Sequence, residues 1–172
     1  MMRLENPLYL EDLDAIIASH CVDWDALEGY TIAISGATGT VGTVLTDVLM
    51  RYRAMGAPWH VLALGRSEAG ARRRLPYFDE RYAPFGGFAF EELDISVPGN
   101  TPRTPVDIVC HLASTTHPRA YATQPIATVT SNIIGLSNLA EAAAALPGEN
   151  TLLFASSVEI YGENRGDVEA FD

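Results

Sequence analysis

The spacing of apolar residues along the chain switches repeatedly between short continuous runs and helical periodicity. "YTIAIS" (30–35) is a compact β-branched and apolar run. "TVGTVLTDVLMRYRAMG" follows, with Val41, Val44, Leu45, Val48 and Leu49 at helical spacing and Gly56 as a stop. "HVLALG" (60–65), "FAFEELD" (88–94), "VDIVCHLA" (106–113) and "TLLFAS" (151–156) predict four further strands. "EAGARRRL" (68–75) predicts a modest helix. Residues from about Pro125 to Leu146 predict the longest one, with Ile126, Val129, Ile133, Ile134, Leu136, Leu139 and Ala143 available for its buried side.

Strands apolar on both faces and separated by helices predict an α/β fold, a doubly wound parallel sheet. Right-handed crossovers give the strand order 3-2-1-4-5. Residues 1–29 stand apart as a helical extension. "LYLEDLDAIIASH" places Leu10, Leu13, Ile16 and Ile17 on one side, and "DWDALEG" adds a turn ending at Gly29. Residues 30–172 then form the main domain. Ligands in such sheets sit beyond the carboxyl ends of the strands, so the chemistry belongs after each strand.

Composition narrows the classes. The 172 residues carry a net charge of −11, and all eleven basic residues are arginine. No basic stretch exceeds Arg72-Arg73-Arg74, which argues against a nucleic-acid partner. No apolar run approaches the ~20 residues of a membrane helix, and the charge fits a soluble cytoplasmic protein. Cys21 and Cys110 lack metal-site spacing, so no metal is expected and both thiols are expected to be inert.

"SGATGTVG" joins the first strand to the first long helix and sets Gly36, Gly39 and Gly42 three apart. Gly36 suits a tight turn, a bare Gly39 lets a phosphate approach, and Gly42 lets the helix pack close to the sheet. The helix start offers unpaired N–H groups to a diphosphate. This GxxGxxG, with "LDI", "HLAS", "SNIIGLSNLAEAA" and "SSVEIYG", resembles the NAD(P)-dependent epimerase/dehydratase family, the extended branch of the short-chain dehydrogenases/reductases with a Rossmann-like fold. The resemblance runs from about Thr31 to Gly162.

It implies a dinucleotide held by Gly36, Thr38, Gly39, Thr40, Val41 and Gly42. After strand two, "ALGRS" puts Arg66 and Ser67 where an NAD site usually has an acid. A guanidinium and a hydroxyl there suit a 2′-phosphate, so NADP is expected ahead of NAD. If Arg66 is only a solvated loop residue, NAD binds instead. By resemblance Asp94 and the Ile95 backbone meet the adenine, with a plain Asx turn as the alternative for Asp94. Leu112, Ala113 and Ser114 would line the cofactor. His111 and His117 read as structural hydrogen-bonders, and Asn132 and Gly135 resemble a structural motif of the long helix.

The family's chemistry uses a YxxxK pair and a nearby hydroxyl to move a proton while the cofactor moves a hydride. Here the hydroxyl maps onto Ser157, with Ser156 as the fallback. Glu159 sits where the sugar-nucleotide 4,6-dehydratases carry a general base; the alternative is an exposed loop carboxylate. Tyr161 with Arg165 imitates YxxxK, but arginine holds its proton and replaces that lysine poorly. With no lysine in the chain, the expectation is a cofactor-binding half of a longer nucleotide-sugar epimerase or dehydratase, truncated after strand five. Such a piece would not turn over and would tend to form homo-oligomers. A non-catalytic NADP-sensing module is the competing reading.

Overall fold

A computed structural model describes residues 3–19, 21–115, 118–148, 150–157, 160 and 162. Five strands form one sheet: β1 (Thr31–Ser35), β2 (His60–Gly65), β3 (Phe88–Glu92), β4 (Ile108–His111) and β5 (Thr151–Phe154). They run all parallel in the order β3-β2-β1-β4-β5, the order expected from the pattern. The helices are α1 (Pro7–Ala18), α2 (Thr40–Arg53), α3 (Glu68–Arg72), α4 (Pro118–Thr123) and α5 (Pro125–Ala144).

Alternation along β1 divides the core into two layers, because successive side chains of a strand point to opposite faces. Ile32 and Ile34 pack with Leu49, Met50, Trp59 and Val61 on one face. Ala33 packs with Leu62, Leu64, Val109, Leu139 and Ala142 on the other. The two long helices α2 and α5 thus cover opposite faces of the sheet. Reversal of strand order falls between β1 and β4, and the ends of these two strands meet at Ser35 and His111.

The extension lies against α2. Leu13 is fully buried, while Ile16, expected on the same apolar side, is 40% exposed. Its burial is replaced by polar clasps that the apolar pattern does not reveal. The Asp47 carboxylate on α2 is completely buried. It accepts from Arg3 Nε at 2.5 Å and Nη2 at 2.8 Å, from Tyr9 Oη at 2.7 Å and from Tyr77 Oη at 2.7 Å. Arg51 adds a bidentate pair to Asp14, both bonds 2.8 Å long. Trp24 completes the junction, stacked on Trp59 at 6.0 Å and edge-on to Tyr52 at 5.3 Å.

One further difference from the sequence pattern stands out. The first half of α5 is open, with Ile126 77%, Val129 52% and Ile133 65% exposed; only from Gly135 onward does the helix enter the core. Among the described residues β5 pairs only with β4, and Leu153 and Phe154 are half-exposed. Cys110 is buried and Cys21 is exposed, so burial protects only one of the two thiols.

Candidate functional site

The glycine turn is built by contact with β4. Gly36 has φ +76°, and a Cβ there would lie 2.7 Å from Ala113 N and 2.8 Å from the Leu112 carbonyl carbon. Both its conformation and its neighbours therefore require glycine. A Cβ on Gly42 would lie 2.2 Å from the Gly36 carbonyl oxygen and 2.8 Å from Ala37 Cα. The bare Gly42 thus lets α2 close directly on the turn. Gly39 differs. A Cβ there would meet only the Gly36 carbonyl oxygen, at 3.2 Å, so the space in front of it is open.

Gly39 is the N-cap of α2 and offers no side-chain cap. Its carbonyl accepts from Thr43 N at 2.9 Å, which starts the helical ladder. The N–H groups of the first turn have no intrahelical acceptor. Thr40 and Val41 are exposed, Val41 by 66%. Thr38 is half-buried in the same turn. Thr43 Oγ1 donates to the Ala37 carbonyl at 3.2 Å and fixes the turn from the helix side. The result is a rigid, uncapped, solvent-facing helix start beyond the carboxyl end of β1.

Beneath it, Ser35 Oγ and His111 Nδ1 lie 2.7 Å apart, both groups buried. Nε2 of His111 has no partner among the described residues, and burial pulls the ring's pKa down. Leu112 N donates to the Ser35 carbonyl at 3.1 Å. His111 thus acts as the structural hydrogen-bonder expected of it, and Leu112, Ala113 and exposed Ser114 leave β4 directly against the glycine turn.

Arg66 is exposed at the end of β2. Ser67 caps α3, its oxygen accepting from Gly70 N at 3.2 Å, which keeps the hydroxyl hydrogen available to donate. Asp94 follows β3. Its Oδ1 accepts from Ser96 N at 3.0 Å and Ser96 Oγ at 2.6 Å, which is the Asx turn weighed as its alternative. Those bonds, and then the Arg66 charge, hold its pKa below the ordinary value. The Ile95 carbonyl accepts from Asn138 Nδ2 at 2.9 Å, which leaves the Ile95 N–H as the group a ring could use.

Asn138 escaped the sequence reading. It is buried on α5, donates also to the Val97 carbonyl at 2.7 Å, and accepts from Gly99 N at 3.0 Å. One amide therefore ties three backbone groups of the loop after β3 to α5. The available signal was a lone asparagine among the apolar positions of a long helix. Asn132 donates only within its own helix, to the Thr128 carbonyl at 2.8 Å, and Gly135 receives the Ile95 side chain. Ser156 and Ser157 are exposed after β5. Glu159, Tyr161, Arg165 and His117 lie outside the described residues.

The sequence model of the NAD dependent epimerase/dehydratase family matches residues 32–172. The chain belongs to that family. No curated protein matches it. Solved structures of the family resemble it in fold. A UDP-galactose 4-epimerase aligns over 81% of this chain and 41% of its own, with TM-score 0.58 and 24% identity. A dTDP-glucose 4,6-dehydratase double mutant (DesIV) from Streptomyces venezuelae, with NAD and DAU bound, aligns over 81% and 42%, with TM-score 0.61 and 19% identity. A UDP-glucose-4-epimerase from Stenotrophomonas maltophila, with NAD and formylated UDP-arabinopyranose bound, gives 79%, 39%, 0.55 and 20%. The chain thus spans about two fifths of the length of these proteins. The family is described as NAD dependent.

Proposed function

We propose that this chain is the cofactor-binding part of a nucleotide-sugar epimerase or dehydratase, with NADP preferred over NAD. The observation that carries the reading is the start of α2: an uncapped first turn, opened by Gly39 and pinned against β4 by Gly36. The residues present fit a dinucleotide. A diphosphate needs several N–H donors and no Cβ in its path, and the turn from Gly36 to Gly42 supplies both. Asp94 and Ile95 would take the adenine. Arg66 and Ser67 would take the 2′-phosphate. Leu112, Ala113 and Ser114 would line the arm leading to Ser157.

Bound there, the dinucleotide supplies a hydride acceptor that withdraws hydride from a sugar carbon and returns it through a 4-keto sugar. The chain's own residues orient and bind. The buried Ser35–His111 pair holds the floor rigid, so the N–H groups need no rearrangement to meet the diphosphate. Ser157 would hold the sugar hydroxyl, and Glu159 would remove a proton beside the new ketone. The phenol and ammonium that complete the proton path would come from beyond this chain's residues. The neighbours' bound NAD and UDP-sugar support this substrate class.

Calorimetric titration with NADPH and with NADH tests it. Saturable NADPH uptake, tighter than that of NADH, is expected. Uptake of neither at millimolar concentration by folded protein rejects dinucleotide binding; equal affinities reject only the NADP preference.

A further inference from the structure

The peptide between Asp94 and Ile95 is held by a side chain further along the same loop. Asn100 Nδ2 donates to the Asp94 carbonyl at 2.8 Å. Val97 N reaches the same carbonyl at 3.3 Å, so the amide of Asn100 is the closer hold. The Asp94 carbonyl and the Ile95 N–H belong to one planar trans peptide and point in opposite directions. A donor fastened to the carbonyl therefore sets the direction of the N–H. That N–H has no acceptor among the described residues.

Asn100 is itself anchored. Its own N–H donates to the Val97 carbonyl at 3.1 Å. Gly99 N, just before it, donates to Asn138 Oδ1 on α5 at 3.0 Å. Ile95 is held from the other side. Its carbonyl accepts from Asn138 Nδ2 at 2.9 Å, and its Cδ1 would lie only 2.9 Å from a Cβ on Gly135, one turn earlier on α5. The neighbouring carboxylate is fixed as well. Both bonds from Ser96 fall on Asp94 Oδ1, and Oδ2 accepts none among the described residues. One acceptor, Asp94 Oδ2, and one donor, the Ile95 N–H, are thus left over on adjacent residues. The Watson–Crick edge of adenine offers the opposite pair, an amine that donates and a ring nitrogen, N1, that accepts.

We infer that Asn100 is a positioning residue for adenine recognition: its amide aims the Ile95 N–H at the ring. This rests on the dinucleotide reading above. Asn100 touches no cofactor atom itself and acts through the 94–95 peptide. Its loss frees that plane to rotate, and a rotated N–H no longer meets the ring nitrogen while the Asp94 carboxylate stays in place.

The test is calorimetric titration of NADH and NADPH, each beside its hypoxanthine analogue, into wild type, Asn100→Ala, Asn100→Asp and Arg103→Ala. Hypoxanthine replaces the amine by a carbonyl and turns N1 into a donor, so it opposes both groups. Wild type should bind the adenine forms roughly 10-fold or more tighter. Asn100→Ala should lower that ratio to about 3-fold or less by weakening the adenine forms. Asn100→Asp keeps the size of the side chain and removes the donor, so it should lower the ratio likewise, and it reads the effect if the alanine variant fails to fold. Arg103→Ala, which removes an 84% exposed side chain from the same loop, should leave the ratio at its wild-type value. A wild-type ratio in the folded Asn100 variants overturns the inference, and so does a ratio lowered as far by Arg103→Ala. Equal binding of adenine and hypoxanthine forms by wild type also overturns it while the dinucleotide reading stands; uptake of neither form rejects both.

Discussion

Replacing Gly42 by alanine sets two physical effects of opposite sign against each other. Inside a helix, alanine is better than glycine by about 1 kcal/mol, so propensity alone predicts a more stable protein. The fold predicts the reverse. The new Cβ would stand 2.2 Å from the Gly36 carbonyl oxygen and 2.8 Å from Ala37 Cα, both backbone atoms that cannot rotate away. Gly36 is itself pressed against Leu112 and Ala113, so the turn has nowhere to retreat. Overpacking of this kind costs roughly 1–3 kcal/mol, and a backbone neighbour on both sides puts it at the upper end. The net expectation is a loss of about 2 kcal/mol, or ~4–8 °C in Tm for a chain of this size. Gly39→Ala is the matched control. Its Cβ meets one atom, the Gly36 carbonyl oxygen at 3.2 Å, and its φ of −73° suits any residue, so its loss of stability should be clearly the smaller of the two. Under the proposed function that methyl would crowd the diphosphate, so dinucleotide affinity should fall in both variants. Urea unfolding followed by tryptophan fluorescence and circular dichroism, with titration of NADPH, reads both quantities. A Gly42→Ala protein as stable as wild type, or more so, refutes the close packing of α2 on the turn.

Asp47→Ala should be far more damaging than its distance from the site suggests. It leaves the Arg3 guanidinium and the Tyr9 and Tyr77 hydroxyls without their shared acceptor, a loss of ~3–5 kcal/mol in urea unfolding, with early proteolysis within residues 1–29. Destabilisation below 1 kcal/mol would show that the clasp does not hold the extension. Stability should also fall on acidification through His111. Its folded pKa is depressed by burial, so the folded state favours the neutral ring; that contribution is complete above the unfolded value of ~6.5 and is lost as pH falls through the lower folded value. Tm measured from pH 7.5 down to 5 should decline in wild type and lose most of that slope in His111→Gln; parallel slopes would assign it to other groups.

The strand order was legible because each parallel strand is a short apolar run with a clear helical partner. The glycine turn was legible because its spacing, its strand and its helix coincide. What escaped depended on which groups meet across the chain. Asp47 reads as the polar side of an amphipathic helix; only the approach of Arg3, Tyr9 and Tyr77 turns it into a buried anchor. Asn138 reads as an interruption among apolar positions, and it becomes intelligible once its amide is seen to meet the Ile95 and Val97 carbonyls and the Gly99 N–H of the loop after β3. Ile126, Val129 and Ile133 show the converse error. Helical periodicity marks a face as apolar but does not say that anything covers it.

The same contrast divides the molecule functionally. Around the glycine turn each element is braced by a neighbour: Gly36 by Leu112 and Ala113, Ser35 by His111, the loop at Asp94 by Asn138. A diphosphate is recognised by fixed N–H directions, and such bracing is what keeps them fixed. At the other edge, β5 has one strand neighbour among the described residues, and Ser156 and Ser157 emerge from it exposed. Proton transfer requires a hydroxyl held within ~3 Å of its partner and shielded from water, and Ser157 is exposed. Under the proposed function, the braced turn is the part suited to hold a dinucleotide in one position, and the half-exposed Leu153 and Phe154 mark the edge where a sugar would need further side chains packed around it.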